Sequence, residues 1–384
     1  MEFEQKKTTV PDPSVAADGG QSPVKDNTEI VTDSAVQSNL SDEEFQSMLR
    51  KMEEMNDPGY LRMVSLNDLL DTVYVGRRAI INDFLYTGAY LLAGAPKTGK
   101  SFLVAQLAYH VSTGAPFWGR PVHQGDVLYL ALEDDERRLQ SRMYRMYGVN
   151  GTDRLRFAIA AKQMGSGFDL QLEYALRKYP ETNLVIIDTL QKIREACGDA
   201  YNYANDYQVI GLLKAFADQH GICILIVHHT RKQPSTDTFD MIAGTNGLLG
   251  AADGAMLLQK EKRRSTKATL DTVGRDQPEE TFYLVKNPKT LIWEVERSES
   301  DMDKEPPEPL TAAIDALLTP NRPEWQGSAT ELVEALQMEL QANALSRQLN
   351  VRAGTLRSEF NIKYENVHSR NGSRIRLTRM TPKA

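Results

Sequence analysis

The chain has 384 residues, 41% hydrophobic, 25% charged and 8% aromatic, with a net charge of −7. That apolar fraction excludes a fibrous or wholly disordered chain, and at ~100–200 residues per domain the length predicts one large domain or two to three smaller ones. Two cysteines, Cys197 and Cys223, make neither a disulfide framework nor a metal cluster and fit a reducing cytoplasm; the best apolar run, residues 222–227, is far short of a membrane span, and the acidic start Met1, Glu2, Phe3, Glu4 lacks the regions of a signal peptide.

Residues 1–57 hold 13 acidic and 5 basic residues. Their first 40 are rich in Ser, Thr, Asp, Gly and Pro and are predicted disordered, because too little apolar area is available to offset the ordering entropy. Ser41 with Glu44 is a capping-box pattern that starts a short helix before Pro58. From residue 74 to 295 the runs 89–93, 127–132, 184–187 and 222–227 alternate with helical segments, one carrying Val209, Leu212, Leu213, Phe216 and Ala217. Runs apolar along their whole length suit parallel strands buried on both faces, so the fold class is α/β with a mostly parallel central sheet. The runs 255–258, 269–273, 281–285 and 291–295 have no long helices between them and read as antiparallel hairpins extending that sheet.

A charged, Pro-containing linker is placed at 297–308. Beyond it Leu310, Ile314, Leu317 and Leu318 make one helix, and Ser328 with Glu331 caps a second. Leu345 and Leu349 belong to a third, and Leu356 and Phe360 to a fourth. Asn371 and Gly372 then form a hairpin turn between two strands. Residues 341–384 hold nine basic residues against Glu359 and Glu365. The predicted plan is an acidic segment 1–57, an α/β domain 58–296, the linker, and a basic winged-helix-like domain 309–384.

Gly94, Ala95, Pro96, Lys97, Thr98, Gly99, Lys100 and Ser101 fit the P-loop pattern G-x-x-x-x-G-K-[ST], and Phe102 continues it into a helix. The glycines let backbone N–H groups wrap phosphate oxygens, Lys100 reaches the β and γ phosphates of ATP, and Ser101 holds Mg²⁺. Asp188, ending the run Val185, Ile186, Ile187, supplies a second Mg²⁺ oxygen at the sheet edge, or else caps the next helix. Glu133 follows the second strand directly and is the candidate to activate water. Asp134 and Asp135 fit better as caps of the helix bearing Arg137, Arg138 and Arg142.

Together with Val227, His228 and His229 at the end of a later strand, these residues resemble the RecA-fold ATPases, and more narrowly the ring-forming plasmid replicative helicases of the RepA type and their DnaB-like relatives. The resemblance implies that Glu133 activates water and that His229, before His228, senses the γ-phosphate. It implies an arginine finger from a neighbouring subunit: Arg275, with Arg263, Arg264 and Lys267 as rivals. It places single-stranded DNA at two loops, 194–205 with Tyr201 and Tyr203, and 231–242 with Arg231 and Lys232. In the tail Arg347, Arg352 and Arg357 on the helices, and Arg370, Arg374 and Arg376 around the turn, are candidates for phosphate contact. The expected protein is a cytoplasmic DNA helicase that assembles as a homo-oligomer, a hexameric ring, with a replication initiator or loader as partner and no membrane partner. The alternative is a RecA-fold ATPase that binds DNA without unwinding it: a loader, recombination mediator or regulatory switch.

Overall fold

The computed structural model describes residues 59–61, 63–74, 76–194, 203–230, 246–260, 262, 264–275, 277–300, 308–369 and 372–380. The predicted disordered segment, the helix from Ser41, and Arg231, Lys232, Tyr201, Arg263 and Arg370 lie outside them. The chain divides into residues 1–65 and residues 66–384; the described part of the first holds neither helix nor strand.

Residues 66–384 begin with a short helix, α1 (Leu66–Asp71), and a two-stranded ribbon, β1 (Ala79–Ile81) and β2 (Leu85–Tyr86). Five strands follow: β3 (Gly88–Gly94), β4 (Asp126–Ala131), β5 (Leu155–Ala158), β6 (Thr182–Asp188) and β7 (Cys223–His229). They run parallel to one another, and β8 (Gly254–Gln259) joins β3 in the same sense. Then β9 (Lys267–Gly274), β10 (Gln277–Lys286) and β11 (Trp293–Ser300) turn back and forth as an antiparallel meander. The nine strands lie in the order β11-β10-β9-β8-β3-β7-β6-β4-β5. The fold is therefore mixed α/β with a large, mostly parallel sheet.

Period-two alternation sorts the sheet side chains between two cores. Tyr90, Leu92, Tyr129, Ala131, Ile186, Leu225 and Val227 face α2 (Lys100–Thr113) and α3 (Glu136–Tyr147) through Leu103, Leu107 and Leu139. Leu91, Ala93, Leu130, Ile187, Ile224 and Ile226 face α4 (Phe168–Lys178), the short α5 (Leu190–Ile193) and α6 (Tyr203–His220) through Leu172, Leu190 and Leu213. Covered on both sides, these strands read in the sequence as unbroken apolar runs.

The tail runs α8 (Pro309–Leu317), β12 (Glu324–Gly327), α9 (Ala329–Leu336), α10 (Ala342–Glu359), β13 (Ile362–Ser369) and β14 (Gly372–Arg379). Its sheet is antiparallel in the order β12-β14-β13. Leu310, Ile314, Trp325, Leu345, Leu349, Leu356, Ile375 and Leu377 form a third core there. The Ser328–Glu331 capping box is present. Two expectations are corrected. Residues 297–300 belong to β11 rather than to a linker, because Arg297, Ser298, Glu299 and Ser300 pair with β10. The third and fourth tail helices are one, α10, since Ala353 bridges the Leu349 and Leu356 positions in the buried stripe. The strands β1, β2, β5 and β12 are additional to those predicted.

Candidate active site

The face that carries α2 also gathers the polar residues at the carboxyl ends of the strands. Gly94, Asp188 and His229 continue the alternation of β3, β6 and β7, and Glu133 lies two positions beyond Ala131 on β4. All four therefore reach one edge on one side. Asp188 sits beside Ala131 in the register, and the Leu132 N–H donates to its carbonyl at 2.8 Å.

The loop between β3 and α2 is shaped by glycine. Gly99 caps α2 with φ +109°, a left-handed conformation, and a Cβ there would lie 2.9 Å from the Trp293 ring. The indole Nε1 of Trp293 donates to the Gly99 carbonyl at 3.3 Å. Gln106 holds Trp293 from α2: its side chain donates to the Trp293 carbonyl at 3.0 Å and accepts from the Trp293 N–H at 2.9 Å.

Lys100, on the first turn of α2, is 5% exposed. Its ammonium donates to the carbonyls of Gly94 (2.7 Å) and Ala95 (3.0 Å) and lies 3.2 Å from His229 Nδ1. Burial lowers the Lys100 pKa to about 8, against the pull of Asp188 and Glu133. Burial and the neighbouring Lys100 also lower His229, so its neutral ring accepts from the lysine. His228 points into the other core. It is buried, its pKa is lowered to about 4 by desolvation, and its Nε2 has no hydrogen-bond partner among the described residues. Of the two histidines, only His229 meets the phosphate loop.

Asp188 accepts from Tyr129 Oη at 3.0 Å and from the Ser101 hydroxyl. Burial raises its pKa, although both hydrogen bonds favour the carboxylate. Glu133 accepts from Thr189 Oγ1 at 3.0 Å. Asp135 is the N-cap of α3, taking the Arg138 N–H at 2.8 Å, whereas Asp134 pairs with Arg142 at 2.6 Å instead of capping. The three acids of this stretch thus have three different environments.

Arg275 is not brought to its own phosphate loop. It follows β9, whose Gly274 pairs with Gly254 on β8, and Gly254 pairs with Tyr90 near the start of β3. That is the sheet edge opposite Gly94. There Arg275 is exposed, with Nη2 2.5 Å from the Gly250 carbonyl in α7 (Asn246–Ala251). Lys267 lies near the loop edge but pairs with Glu296. In the tail Arg352 is ion-paired with Glu308 and Arg347 with Asp71, while Arg357, Arg374 and Arg376 are exposed.

Tyr129, Thr189, Gln106 and Trp293 are parts of the site absent from the sequence reading. For Tyr129 a signal existed, since it lies four positions before Glu133 on an alternating strand. Trp293 had none: it is 194 residues from the glycine it buttresses.

Residues 41–235 match the AAA domain family. Among solved structures, one ATPase domain is 16% identical, covering 66% of this chain and 98% of that one, with a TM-score of 0.46. A DnaB-like replicative helicase, solved in a study of its interactions with primase, is 15% identical over 65% of this chain and 71% of that one, with a TM-score of 0.48. A KaiC-like protein from Pyrococcus horikoshii OT3 is 16% identical over 58% and 100%, with a TM-score of 0.41. No curated protein matches the chain. No described helix is long and apolar enough to cross a membrane.

Proposed function

The chain belongs to the AAA domain family, and from that premise we propose that it is an ATP-hydrolysing, ring-forming motor that unwinds DNA from a single strand during replication of a plasmid or other mobile element. The observation that carries this reading is the convergence of Lys100, Ser101, Asp188, Glu133 and His229 on one side of one sheet edge.

The residues fit Mg²⁺. Ser101 and Asp188 offer two adjacent oxygens, and among the described residues no cluster of three or more His, Cys, Asp or Glu could hold a metal alone. Mg²⁺ commonly takes one or two protein oxygens and completes its shell with phosphates and water; when bound it neutralises phosphate charge. Lys100 exchanges the Gly94 and Ala95 carbonyls for phosphate oxygens. The Glu133 carboxylate, oriented by Thr189, takes the proton of the attacking water. His229 links the γ-phosphate position to β7 and to the loop that follows it. Arg275 serves the site of an adjacent copy, a role suited to an exposed arginine on the far edge of its own sheet.

The order helix, strand, helix, helix, hairpin in residues 309–380 supports a winged-helix domain, and the exposed Arg374 and Arg376 are its candidates for duplex phosphates. Arg231 and Lys232 remain the candidates for the single strand.

Glu133→Gln tests the assignment. The variant is expected to bind ATP with Mg²⁺ as the native chain does and to turn over ~10²–10⁴-fold more slowly. Turnover close to native would remove Glu133 from the mechanism. A native mass of one copy, with no ATP-dependent opening of a forked duplex, would overturn the ring-helicase reading while leaving the ATPase.

A further inference from the structure

The helix best placed to enter a DNA groove is already covered. In α10 the stripe Leu345, Leu349, Ala353 and Leu356 faces the tail core. Helical geometry puts Arg347 and Gly354 on the flank turned away from that core, with Asn350 buried at the margin between flank and core, and helix α1 with the chain following it lies along this flank. Arg347 grips Asp71 with two nitrogens, Nε to Oδ1 at 2.8 Å and Nη2 to Oδ2 at 3.1 Å, and Nη2 also reaches Asn67 at 3.2 Å. Asn350 donates to the Leu70 carbonyl at 3.0 Å while accepting from Tyr364 at 2.8 Å. At Gly354 a Cβ would lie 3.5 Å from the Gly76 nitrogen, so the backbone itself crosses the helix. Arg352, on another side of α10, is held by Glu308.

We propose that α1 is an internal competitor for duplex DNA: it occupies the outward flank of α10, with the Asp71 carboxylate at Arg347 where a DNA phosphate would sit, and duplex binding by the tail requires its displacement. The proposal rests on the tail being a DNA-binding domain. Two arguments carry it. A major groove about 12 Å wide admits one helix, and a helix with its side chains is already ~10–12 Å across, so α10 cannot enter with α1 attached. The cover is also built to come off. α1 has six residues, none of them buried, far below the ~12–15 residues at which an isolated helix becomes stable. Its Arg347–Asp71 pair is solvent-exposed, a class of contact with little net strength. The fork of a guanidinium on a carboxylate has the same geometry as its fork on a phosphate.

The test locks the cover in the intact chain. Neither Gly76 nor Gly354 has left-handed backbone, and a Gly354 Cβ would stand 3.6 Å from the Gly76 Cα, which keeps the two Cα atoms well inside the ~7 Å beyond which cysteines cannot be bridged. In Gly76→Cys/Gly354→Cys, oxidation is expected to weaken duplex binding at fixed salt by at least ~tenfold, with recovery on reduction. Gly354→Cys alone should ignore the oxidant. Asp71→Asn is expected to tighten duplex binding several-fold, whereas Glu334→Gln, an equal charge change on an exposed α9 residue, should not match it. Equal duplex binding by the oxidised and reduced double variant overturns the proposal, and so does an equal gain from Asp71→Asn and Glu334→Gln. If Arg374→Glu/Arg376→Glu leaves duplex binding of the reduced chain unchanged, the DNA-binding tail falls, and this proposal with it. Loss of binding in that variant combined with indifference to the lock sinks the competitor alone.

Discussion

At Lys100 a charge is stored where water is scarce. Three polar atoms, the carbonyls of Gly94 and Ala95 and His229 Nδ1, take the place of hydration around an ammonium whose pKa burial has lowered to about 8. Phosphate binding needs the protonated form. The free site therefore holds its charge below pH 8 and loses it as the pH rises through that value, while bound phosphate pulls the proton back. The Kd for ATP is expected to be flat below about pH 8 and to climb toward ~tenfold per pH unit above it, read by titration with a fluorescent ATP analogue. Lys286 also has a pKa of about 8, through burial and the nearby Lys260, Arg142 and Arg145, and its Nζ lies 3.4 Å from the centre of the Phe102 ring. Lys286→Arg keeps that position charged at all these pH values. If the break vanishes in Lys286→Arg, Lys286 and not Lys100 sets it. Lys100→Met should abolish hydrolysis and leave thermal unfolding nearly unchanged, because it removes a buried charge and keeps most of the stem.

Among the elements, the edge hairpin β10–β11 supports the phosphate loop from the side. Trp293 is fully buried, fills the space beside Gly99 and is pinned by Gln106 and by Trp118, whose Nε1 donates to its carbonyl at 2.8 Å. Trp293→Ala is expected to cost about 3–5 kcal/mol, measured as a shift in the denaturant midpoint, and to weaken ATP binding because the Gly99 turn loses its wall. Trp293→Phe keeps the wall and loses the Gly99 hydrogen bond, for about 1 kcal/mol; equal ATP affinity in both variants would show that the wall is not needed. This support was not legible in the sequence, whereas the parallel strands were. Residues 89–93 and 184–187 are apolar at every position because both faces are covered, and Asp188 is conspicuous by ending such a run. β5 was missed because Leu155, Arg156, Phe157 and Ala158 are half-buried or exposed and show no such run. In α10 the small Ala353 and Gly354 hid the continuity of one helix, and Gly354 is small where the backbone of residue 76 passes. The basic tail was legible as charge, but its partial neutralisation by Asp71 and Glu308 was not, since those carboxylates lie 276 and 44 residues from their arginines.

At the scale of the whole molecule, two opposite edges of the sheet carry the candidate residues, and no single copy can join them. The phosphate loop is at one and Arg275 at the other. A preparation of Arg275→Ala and a preparation of Lys100→Ala are each expected to be inactive. Mixed, they should regain part of the ATPase rate, because some neighbours then pair an intact loop with an intact arginine. No recovery at any ratio, with mixed oligomers seen by native mass measurement, would argue against a shared site. The contact between α1 and α10 has a consequence of timing. Asp71 and Arg347 are 276 residues apart, and at ~5–20 residues per second a ribosome needs roughly 14–55 s to make the second after the first. In the sheet the longest wait is that of β3 for β7 and β8, where Tyr90 pairs with Leu225 and Gly254, whereas α1 waits for its seat until α10 is made. That seat joins the stretch of residues 67–76 to residues 347–354, so in a nascent chain α1 stays uncovered longer than any strand of the large sheet.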